Sequence, residues 1–554
     1  MAASKLRLRP WQRRALDRYL DSEEPDFLAV ATPGAGKTTF ALTAARMTLP
    51  SLEGRLVIVA PTRHLKEQWA DAAERFGLML DTEWNPSGGL PSDVHGVVTT
   101  YQQVGSAAMA FRTLADGGFV ILDEIHHAGD ERAWGDGVRV AFSGAAKRMA
   151  LSGTPFRSDT RSIPFVRYEW DQVVPDIEYG YGDALEDGRV VRPVFFPRFG
   201  GHMEWVAPDG AELSASFDDE LARTLANQRL RAALSLQGEW LPAVIGHAHE
   251  QLTKIRNSHE NAGGLVIAMD QEHAHAIASL LRRRYGVQPI VAVSDDPQAS
   301  AKITQFSNST SEWIVAVRMV SEGVDIPRLR VAVFATTTTT ELFFRQAVGR
   351  IVRWTRGAGR QRAYLFMPDD PRLRHYGQSI AEARRHLLRK KEDDDASEFE
   401  NAELDEVSEE PAEEQLSLFA VLSSTVGDVG HGEDIFDDSA DDGEDDHDHD
   451  DHEGEPDQPE LFIDLQRLPP PGPGPMVLVS RKDRERLREQ NVDIVKELVA
   501  LTGKTHAIVN AELNRLSGVE RVSSATAIQL SKRAKAGQEL LAKEHKRQRM
   551  SRFV

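Results

Sequence analysis

The sequence predicts an α/β protein with two tandem parallel-sheet domains, a long disordered acidic linker and a small all-α C-terminal domain. Short apolar runs alternate with helical patterns over two stretches of the chain, which is typical of parallel sheets covered by helices. A tract dominated by Asp and Glu follows the second stretch, and helical spacing of apolar residues returns after it. The length of 554 residues also favours several folded units over a single core.

The first α/β domain is expected at residues 1–185 and the second at residues 259–391. Apolar runs of the first domain begin near residues 27, 56, 96, 119 and 148, and those of the second near residues 264, 289, 313, 330 and 362. Between the domains, residues 186–258 combine a β-like string with helical spacing and are too long for a plain linker. The sequence does not indicate what this intervening segment does.

Charge is distributed very unevenly along the chain. The formal net charge is -20, but residues 392–462 contain 30 Asp and Glu and no Lys or Arg, which leaves 66 basic and 56 acidic side chains elsewhere, a net charge of +10. Residues 392–476, this tract and the Pro-rich string after it, are predicted to be disordered because like charge dominates. Residues 477–554 carry 17 basic and 9 acidic side chains and are predicted to form a basic helical domain that suits contact with phosphates.

The composition excludes several classes of protein. The chain has no cysteine, which excludes a disulfide framework, a thiolate metal site and a cysteine nucleophile. It has no run of about 18 apolar residues, and its first residues lack the pattern of an export signal. We therefore expect a cytoplasmic protein with no membrane partner.

A glycine-containing loop follows the first apolar run directly. A strand that turns through glycines into a helix presents backbone N–H groups to one anion, so phosphate is the expected ligand, and ATP with Mg²⁺ the expected cofactors. Lys37 supplies a point charge to the β and γ phosphates, and the Thr38 hydroxyl suits Mg²⁺. The alternative is a glycine turn with an incidental lysine. The residues expected to bind the nucleotide here are Pro33, Gly34, Ala35, Gly36, Lys37, Thr38 and Thr39.

Two carboxylates follow a later apolar run. Parallel sheets gather their ligands at the carboxyl ends of the strands, where Asp123 and Glu124 are expected. Asp123 would hold Mg²⁺, Glu124 would orient and deprotonate the attacking water, and His126 could link nucleotide state to the other domain. A solvated strand end would look the same alone, but the preceding phosphate loop favours the catalytic interpretation.

Polar and basic residues recur at helical spacing in the second domain. Gln346, Gly349, Arg350 and Arg353 lie three or four residues apart and are predicted to share one helix face. Arg350 and Arg353 would then reach a γ-phosphate bound on the first domain as arginine fingers, with Gln346 beside them. The alternative is a surface helix whose arginines pair with acidic neighbours.

Together these motifs resemble those of a DExH-type superfamily-two helicase, in the group of type III restriction helicase subunits and excision-repair helicases. The resemblance covers most of residues 1–370 and implies two RecA-like domains. The phosphate loop starts with Ala31 where many such loops have glycine, and the pattern A-x-x-G-x-G-K-T is typical of helicases. Further matches, in family order, are the strings at residues 8–12, 59–69, 99–104, 151–157, 320–327 and 346–354.

The resemblance implies roles for residues outside the phosphate loop. Gln12 would contact the adenine base, and Gly323 and Asp325 would contribute to nucleotide binding. Ser152 and Thr154 would act with His126 in coupling hydrolysis to movement. Nucleic-acid contacts are expected on phosphate and sugar, since a motor must accept any base sequence. The residues implied in these contacts are Thr62, Arg63, Thr99, Thr100 and Ser321, whose hydroxyls would otherwise be ordinary caps and turn residues.

The expected function is that of an ATP-dependent DNA helicase or translocase, acting in replication, recombination or repair. Three alternatives remain open at this point. RNA is a possible track, because these motifs alone do not distinguish the sugar. The chain could also be the motor subunit of a restriction or phage-defence complex, or a non-catalytic scaffold between DNA and a clamp.

A short string in the acidic tract points to a partner protein. Gln415, Leu416, Leu418 and Phe419 form a pentapeptide pattern that resembles the motif by which bacterial replication and repair proteins dock on the sliding clamp. A polar segment has no structural reason to keep an apolar cluster, whereas a docking peptide that orders on binding does. This partner implies a bacterial protein or a phage protein in a bacterial host. A second string of this type, residues 458–462, is a weaker match, and either string can arise by chance.

Overall fold

The computed structural model describes residues 5–86, 89–129, 132–153, 163–169, 172–188, 190–293, 296, 298–317, 326–355, 361–393, 420–430, 462–464, 469 and 479–551. Within these residues two domains built on largely parallel sheets are followed by a helical C-terminal unit, as the sequence predicts.

The first domain is built on a seven-stranded parallel sheet. Its elements in chain order are β1 (Lys5–Arg7), α1 (Pro10–Asp21), β2 (Asp26–Ala31), α2 (Lys37–Thr48), β3 (Leu56–Ala60), α3 (Arg63–Arg75), β4 (Leu80–Asp81), β5 (Gly96–Thr100), α4 (Tyr101–Ser106), α5 (Ala108–Ala115), β6 (Phe119–Asp123), α6 (Arg132–Phe142), β7 (Lys147–Ser152), β8 (Tyr168–Glu169), β9 (Gln172–Val173), β10 (Ile177–Tyr179) and α7 (Tyr181–Glu186). The sheet order is β10-β2-β7-β6-β3-β5-β4.

Helices cover both faces of this sheet. Trp11 of α1 and Phe40 of α2 pack on one face, and Phe111 of α5 and Phe142 of α6 pack on the other. Strands β3, β5 and β6 are therefore buried along their whole length. Because parallel strands all point the same way, their carboxyl ends and the loops that follow lie at one edge of the sheet.

The second domain contains a nine-stranded sheet. Its elements are β11 (Val194–Phe195), β12 (Arg198–Val206), β13 (Glu212–Ser216), α8 (Arg223–Ala233), α9 (Trp240–Ser258), β14 (Gly263–Ala268), α10 (Gln271–Tyr285), β15 (Ile290–Ala292), α11 (Ala299–Ser307), β16 (Trp313–Val317), β17 (Leu329–Ala335), α12 (Glu341–Ile351), β18 (Ala363–Pro368), α13 (Pro371–Asp393) and β19 (Ala420–Gly430). The order is β13-β12-β18-β17-β14-β16-β15, with β11 beside β18 and β19 beside β12.

The segment at residues 186–258 is part of the second domain rather than a separate unit. It supplies β11, β12 and β13 to the sheet, and α9 buries Trp240 and Leu241 in the same apolar core as Val331 and Val333 of β17. The predicted boundary at residue 259 is therefore wrong. The domain boundary is set by the pairing of β11 and β12 with β18, which lies far along the chain. No local sequence pattern indicates that pairing.

Two strands lie within the predicted disordered linker. β19 pairs antiparallel with β12, from Ala420 opposite Val206 to Gly430 opposite Arg198. β20 (Phe462–Asp464) pairs antiparallel with β1 of the first domain. The prediction of disorder is wrong for these residues. Between residues 420 and 430 the only charged side chain is Asp428, so the average over the tract conceals a strand with little charge.

The C-terminal unit contains the helices α14 (Arg481–Thr502), α15 (His506–Ser517) and α16 (Ala527–Ser551). Leu498 and Leu513 lie in its small apolar core. Arg533 is almost fully buried there, and its guanidinium donates to the side-chain oxygens of three asparagines. These are Asn491, Asn510 and Asn514, at 2.9, 2.6 and 2.9 Å.

This unit docks on the first domain through arginines of α14. Arg481 pairs with Glu67 of α3 at 2.6 Å, and Arg488 pairs with Asp81 at 3.1 Å. Arg484, which lies between them, pairs with Asp93. Asp93 also accepts the backbone N–H of Ala527 at 2.9 Å, so it binds the start of α16 as well. The three arginines recur at three- and four-residue spacing and therefore share one face of α14.

We predict that Arg484→Ala loosens this docking. The Arg484 and Asp93 side chains are only 7% and 16% exposed, and removal of one partner of a buried pair costs about 3 kcal/mol because the other charge stays buried. Amide hydrogen exchange in α14 and at the start of α16 should accelerate by roughly a hundredfold. Arg486→Ala is the matched control, since that side chain is exposed on the same helix. Equal exchange in the two variants would contradict the prediction.

Candidate active site

The loop between β2 and α2 is held from behind by α1 and the residue before it. Arg9 donates to the carbonyl of Gly34 at 2.7 Å, Trp11 to that of Ala35 at 3.0 Å, and Gln12 to that of Gly36 at 2.9 Å. In a trans peptide the N–H of the next residue points opposite to the carbonyl. The N–H groups of Gly36 and Lys37 therefore point away from α1, towards the open side of the loop.

Glycine is required at two positions of this loop. Gly34 and Gly36 have φ angles of +84° and +89°, a region that favours glycine. A Cβ atom on Gly36 would also lie only 2.6 Å from the Gln12 amide nitrogen. The geometry is that of a loop that binds an anion with backbone N–H groups at the start of a helix.

The two carboxylates follow β6 at the same edge of the sheet. Asp123 is 8% exposed and accepts a hydrogen bond from Trp69 at 2.7 Å. Glu124 has a φ of +46°, which is unusual for a residue with a side chain and is typical of functional sites. Its carboxylate lies 3.3 Å from the Lys37 ammonium and accepts the Gly153 N–H at 3.1 Å.

Burial and the neighbouring charge of Glu124 raise the pKa of Asp123 to about 6. Burial also raises the pKa of Glu124, but the charges of Lys37 and His126 and the Gly153 N–H outweigh it and lower that pKa to about 2. Glu124 is thus the more acidic member of the pair, and Asp123 is the carboxylate whose charge a cation would stabilise most.

The oxygen donors fit Mg²⁺ only together with a ligand. The described residues contain no cluster of three His, Asp or Glu side chains that would hold a metal alone. Asp123 and Thr38 nevertheless line one cavity with the phosphate loop. Mg²⁺ is commonly bound by one or two protein oxygens plus phosphate oxygens and water, which this arrangement can supply.

The second domain closes this cavity from the opposite side. The cavity has a volume of about 300 Å³ and is lined on one side by Lys37, Asp123 and Glu124. On the other side it is lined by Gln346, Arg350 and Arg353. The two halves of the predicted site, which lie more than 200 residues apart in the sequence, therefore face one space.

Close packing fixes α12 against the loop. A Cβ atom on Gly349 would lie 2.5 Å from the Pro33 ring, so glycine is needed where the helix meets the loop. Arg353 lies two residues beyond the end of α12 rather than on it, which corrects the predicted single helix face. Its side chain still lines the cavity, and its Cγ would lie 3.7 Å from a Cβ placed on Gly34.

Comparisons with known proteins match both domains. Residues 5–157 match the family described as the res subunit of type III restriction enzymes, and residues 247–355 match the helicase conserved C-terminal domain. The two matches support a superfamily-two helicase. This confirms the resemblance, whereas the clamp-docking pentapeptide stays a prediction.

Related proteins cover much of this chain. A Mycobacterium tuberculosis protein described as "Uncharacterized protein Rv2917" is 46% identical over 390 residues, which make up 69% of this chain and 64% of that protein. The "DNA 3'-5' translocase XPB2" of Sulfurisphaera tokodaii is 25% identical over 367 residues, 63% of this chain and 79% of that protein. The solved restriction-modification enzyme LlaBIII bound to DNA is 15% identical, with a TM-score of 0.44, over 65% of this chain and 27% of that one. The chain thus spans less than two thirds of its mycobacterial relative.

Other residues of the predicted site lie around the cavity. Ser152 ends β7, and its hydroxyl lies 3.2 Å from Nδ1 of His126, which is 3.7 Å from the Glu124 carboxylate. These residues therefore link the ends of β6 and β7. Gln12 does not line the cavity: its side chain is 3% exposed and bonds to Gly36 and Arg9, so in this structure it supports the loop.

The described residues predicted to contact nucleic acid lie at the same sheet edge. Thr62 follows β3, Thr100 ends the adjacent strand β5, and the two act as N-caps of α3 and α4. Thr99 is buried and donates to Gln103 at 3.2 Å, and Arg63 is exposed at the start of α3. A capping oxygen accepts one N–H, which leaves the hydroxyl hydrogen of Thr62 for a phosphate, whereas the Thr100 hydroxyl donates to Gln103 at 3.4 Å.

Some predicted residues lie outside the part of the chain that is described. These are Thr154, Ser321, Gly323, Asp325, Gln415, Leu416, Leu418 and Phe419.

The sequence did not identify several residues that shape the candidate site. Pro61, Leu65, Gln68 and Arg345 line the cavity, and Tyr101 donates to the Asp123 carbonyl at 2.8 Å. Their roles depend on which strands are neighbours, and no local sequence signal gives the sheet order. Of the helices in the described ranges, none combines the length and apolar character needed to cross a membrane.

Proposed function

We propose that the chain is an ATP-dependent DNA helicase or translocase that uses Mg–ATP hydrolysis to move along or unwind DNA. The observation that carries the proposal is the cavity in which a phosphate loop and two carboxylates face Gln346, Arg350 and Arg353. The charge pattern supports it: the loop amides and Lys37 would bind phosphate from one domain, and the arginines would approach the same anion from the other.

Nucleotide binding would begin at the loop. The N–H groups of Gly36 and Lys37 would bind phosphate oxygens. The Lys37 ammonium would leave the Glu124 carboxylate and pair with the β and γ phosphates instead. Thr38 and Asp123 would hold Mg²⁺, which neutralises charge on the phosphates when bound. Exchange of partners by Lys37 leaves the Glu124 carboxylate available for the attacking water.

Hydrolysis would then proceed at the γ phosphorus. A water oxygen forms a bond to phosphorus as the bond to the β–γ bridging oxygen breaks, and Glu124 takes the water proton. Arg350 and Arg353 stabilise the negative charge that spreads over the transferring group, and Gln346 lies beside them to orient it. Because these groups come from the second domain, hydrolysis requires the two domains to be together.

Coupling to movement would use the contact between strand ends. His126 touches both Ser152 and the Glu124 carboxylate, so a change at the γ phosphate reaches the end of β7. Thr62 and Arg63 lie at the start of α3, just after β3, and Thr99 and Thr100 end the neighbouring strand β5; from this edge they would contact the nucleic-acid backbone. Hydrolysis would thereby change the grip of one domain on the strand.

DNA is proposed as the track because of the relatives. The Sulfurisphaera tokodaii protein is named a DNA translocase, and the first family match is to a restriction enzyme subunit. The test is ATP turnover measured side by side with single-stranded, duplex and forked DNA and with RNA. We expect DNA to stimulate turnover and RNA not to. Stimulation by RNA alone would refute the choice of track, and no turnover with any substrate would favour a non-catalytic scaffold.

The family match also favours a second candidate function. The res subunit of type III restriction enzymes would correspond to the motor of a restriction or phage-defence complex, with the nuclease on another chain. Isolation of the protein from its host with a bound nuclease or methyltransferase would support that function. Isolation without either, combined with DNA-stimulated turnover, would support a role in replication, recombination or repair in the bacterial cytoplasm.

We also propose that the pentapeptide at residues 415–419 docks on the bacterial sliding clamp. The string ends at the residue before Ala420, the first residue of β19, which pairs with Val206 of β12 in the second domain's sheet. Alanine at both Leu418 and Phe419 should abolish binding of the full chain to a clamp in surface plasmon resonance. The same double change at Leu461 and Phe462, where Phe462 pairs with Arg7, should leave clamp binding intact. Unchanged binding by the first variant would end the idea.

A further inference from the structure

The connection between the two domains contains a fully buried arginine. Arg192 lies between α7 and β11 and has no exposed surface. Its guanidinium donates to the carbonyl of Pro327 at 2.8 Å, to that of Leu329 at 3.3 Å and to the Thr355 hydroxyl at 3.0 Å. It also donates to the carbonyl of Arg353. One side chain therefore joins the connection, the start of β17 and the segment after α12.

Each of these partners of Arg192 is a neutral oxygen. A buried charge that has no carboxylate partner is costly unless hydrogen bonds compensate for the lost hydration. Burial and the positive charge of Arg330 lower the pKa of Arg192 to about 9. Four oxygens converge on the planar fork, a geometry that lysine cannot reproduce. The arrangement is therefore suited to holding main chain in place rather than to neutralising charge.

The main chain that Arg192 holds is that of a proposed arginine finger. Helix α12 ends at Ile351, so Arg353 lies beyond its regular hydrogen bonds. The backbone N–H of Arg192 donates to Val352 at 2.6 Å, and Val191 forms a β-bridge with Arg353. A Cβ atom placed on Gly34 would lie 3.7 Å from the Val190 carbonyl oxygen and 3.7 Å from Cγ of Arg353. The connection, the phosphate loop and the finger thus meet at one point.

We propose that Arg192 is a positioning residue that fixes the main chain at Arg353 and so directs its guanidinium into the nucleotide cavity. This inference rests on the proposed function, because it requires Arg353 to act on the γ phosphate. It places control of the finger in the connection between the domains, so the path of that connection sets whether the finger reaches the phosphate.

The test is a double-mutant cycle between Arg192 and Arg353, read in steady-state ATP hydrolysis. Arg192→Met should lower kcat about a hundredfold, the loss expected for a misplacement of roughly 1 Å, with little change in the KM for ATP. In the Arg353→Ala background the same change should have less than about a threefold effect, because residues that act as a unit are not additive.

Two further variants keep the result interpretable. Arg192→Lys retains a buried cation but not the planar guanidinium fork. It should lower kcat about tenfold, and this loss should also be absent in the Arg353→Ala background. It replaces the methionine variant if that variant does not fold. Arg229→Met is the matched control, since Arg229 is also buried and bonds to the carbonyls of Ser216 and Asp219, near the end of β13 and away from the finger. Any effect of this control on kcat should be the same with and without Arg353.

The outcomes separate the inference from the proposed function. Multiplicative losses for Arg192 and Arg353, or wild-type turnover by Arg192→Met, would overturn the inference alone and leave Arg192 as a structural arginine like Arg229. Wild-type turnover by Arg353→Ala would overturn both the finger and the inference. A loss with Arg353→Ala, together with a loss on changing Arg192 that disappears in the Arg353→Ala background, supports both.

Discussion

Replacement of Arg353 by alanine should lower ATP turnover by roughly three to five orders of magnitude while ATP binding is retained. The residue lines the cavity opposite Lys37 and Glu124, where it can stabilise charge that develops only in the transition state. The loop amides and Lys37, which bind the ground state, are unchanged by the substitution. Turnover at saturating ATP and the affinity for a fluorescent ATP analogue, measured on one preparation, separate the two effects.

Arg374→Ala is the control for this prediction. Arg374 lies in the same domain on α13 and pairs with Asp369 at 2.9 Å, outside the cavity. Its loss should leave turnover within about twofold of the wild type, as expected for a pair that is partly exposed. Equal turnover in the two variants, at the wild-type level, would remove Arg353 from the catalytic machinery.

Glu124→Gln should lower turnover by about two to four orders of magnitude, the range for loss of a general base. Bound ATP should persist, because the substitution leaves the loop, Lys37 and Asp123 in place. Retention of radiolabelled ATP on the protein over the lifetime of many wild-type turnovers is the measurement. Rapid release of phosphate by this variant would assign the base to another residue.

The same variant has a pH signature. Asp123 must be ionised to hold Mg²⁺, and with a pKa of about 6 it becomes protonated as the pH falls through that value. Magnesium-dependent ATP binding should therefore weaken below about pH 6 in the wild type. Because the charge of Glu124 contributes to this raised pKa, Glu124→Gln should move the midpoint to lower pH. An unchanged midpoint would show that burial alone sets the pKa.

Features that depend on local chemistry were predictable from the sequence. Apolar runs predict the strands, because both faces of a parallel sheet are buried. The turn through Gly34 and Gly36 requires glycine at both positions. Asp123 ends a strand and Glu124 follows it, which places both carboxylates at the edge where parallel sheets bind ligands. The cavity that these residues share with the helix near Arg350 follows from the family pattern.

Features that depend on pairing over long distances were not predictable. Strand β19 lies in a tract whose average charge indicates disorder, and its partner β12 is about 220 residues earlier. The docking of α14 on the first domain depends on carboxylates spread from Glu67 to Asp93. Arg192 bonds mainly to backbone carbonyls, which carry no residue identity, so no pattern of side chains could indicate its partners.

The most direct measurement of the central claim is the affinity of wild-type protein and Arg353→Ala for MgADP and for MgADP with aluminium fluoride, which mimics the transferring phosphoryl group. If triphosphate is bound by one domain and activated by guanidinium groups of the other, the variant should bind MgADP as the wild type does. It should bind the fluoride complex about a thousandfold more weakly. Equal affinity of the two proteins for the fluoride complex would contradict a catalytic site shared between the domains.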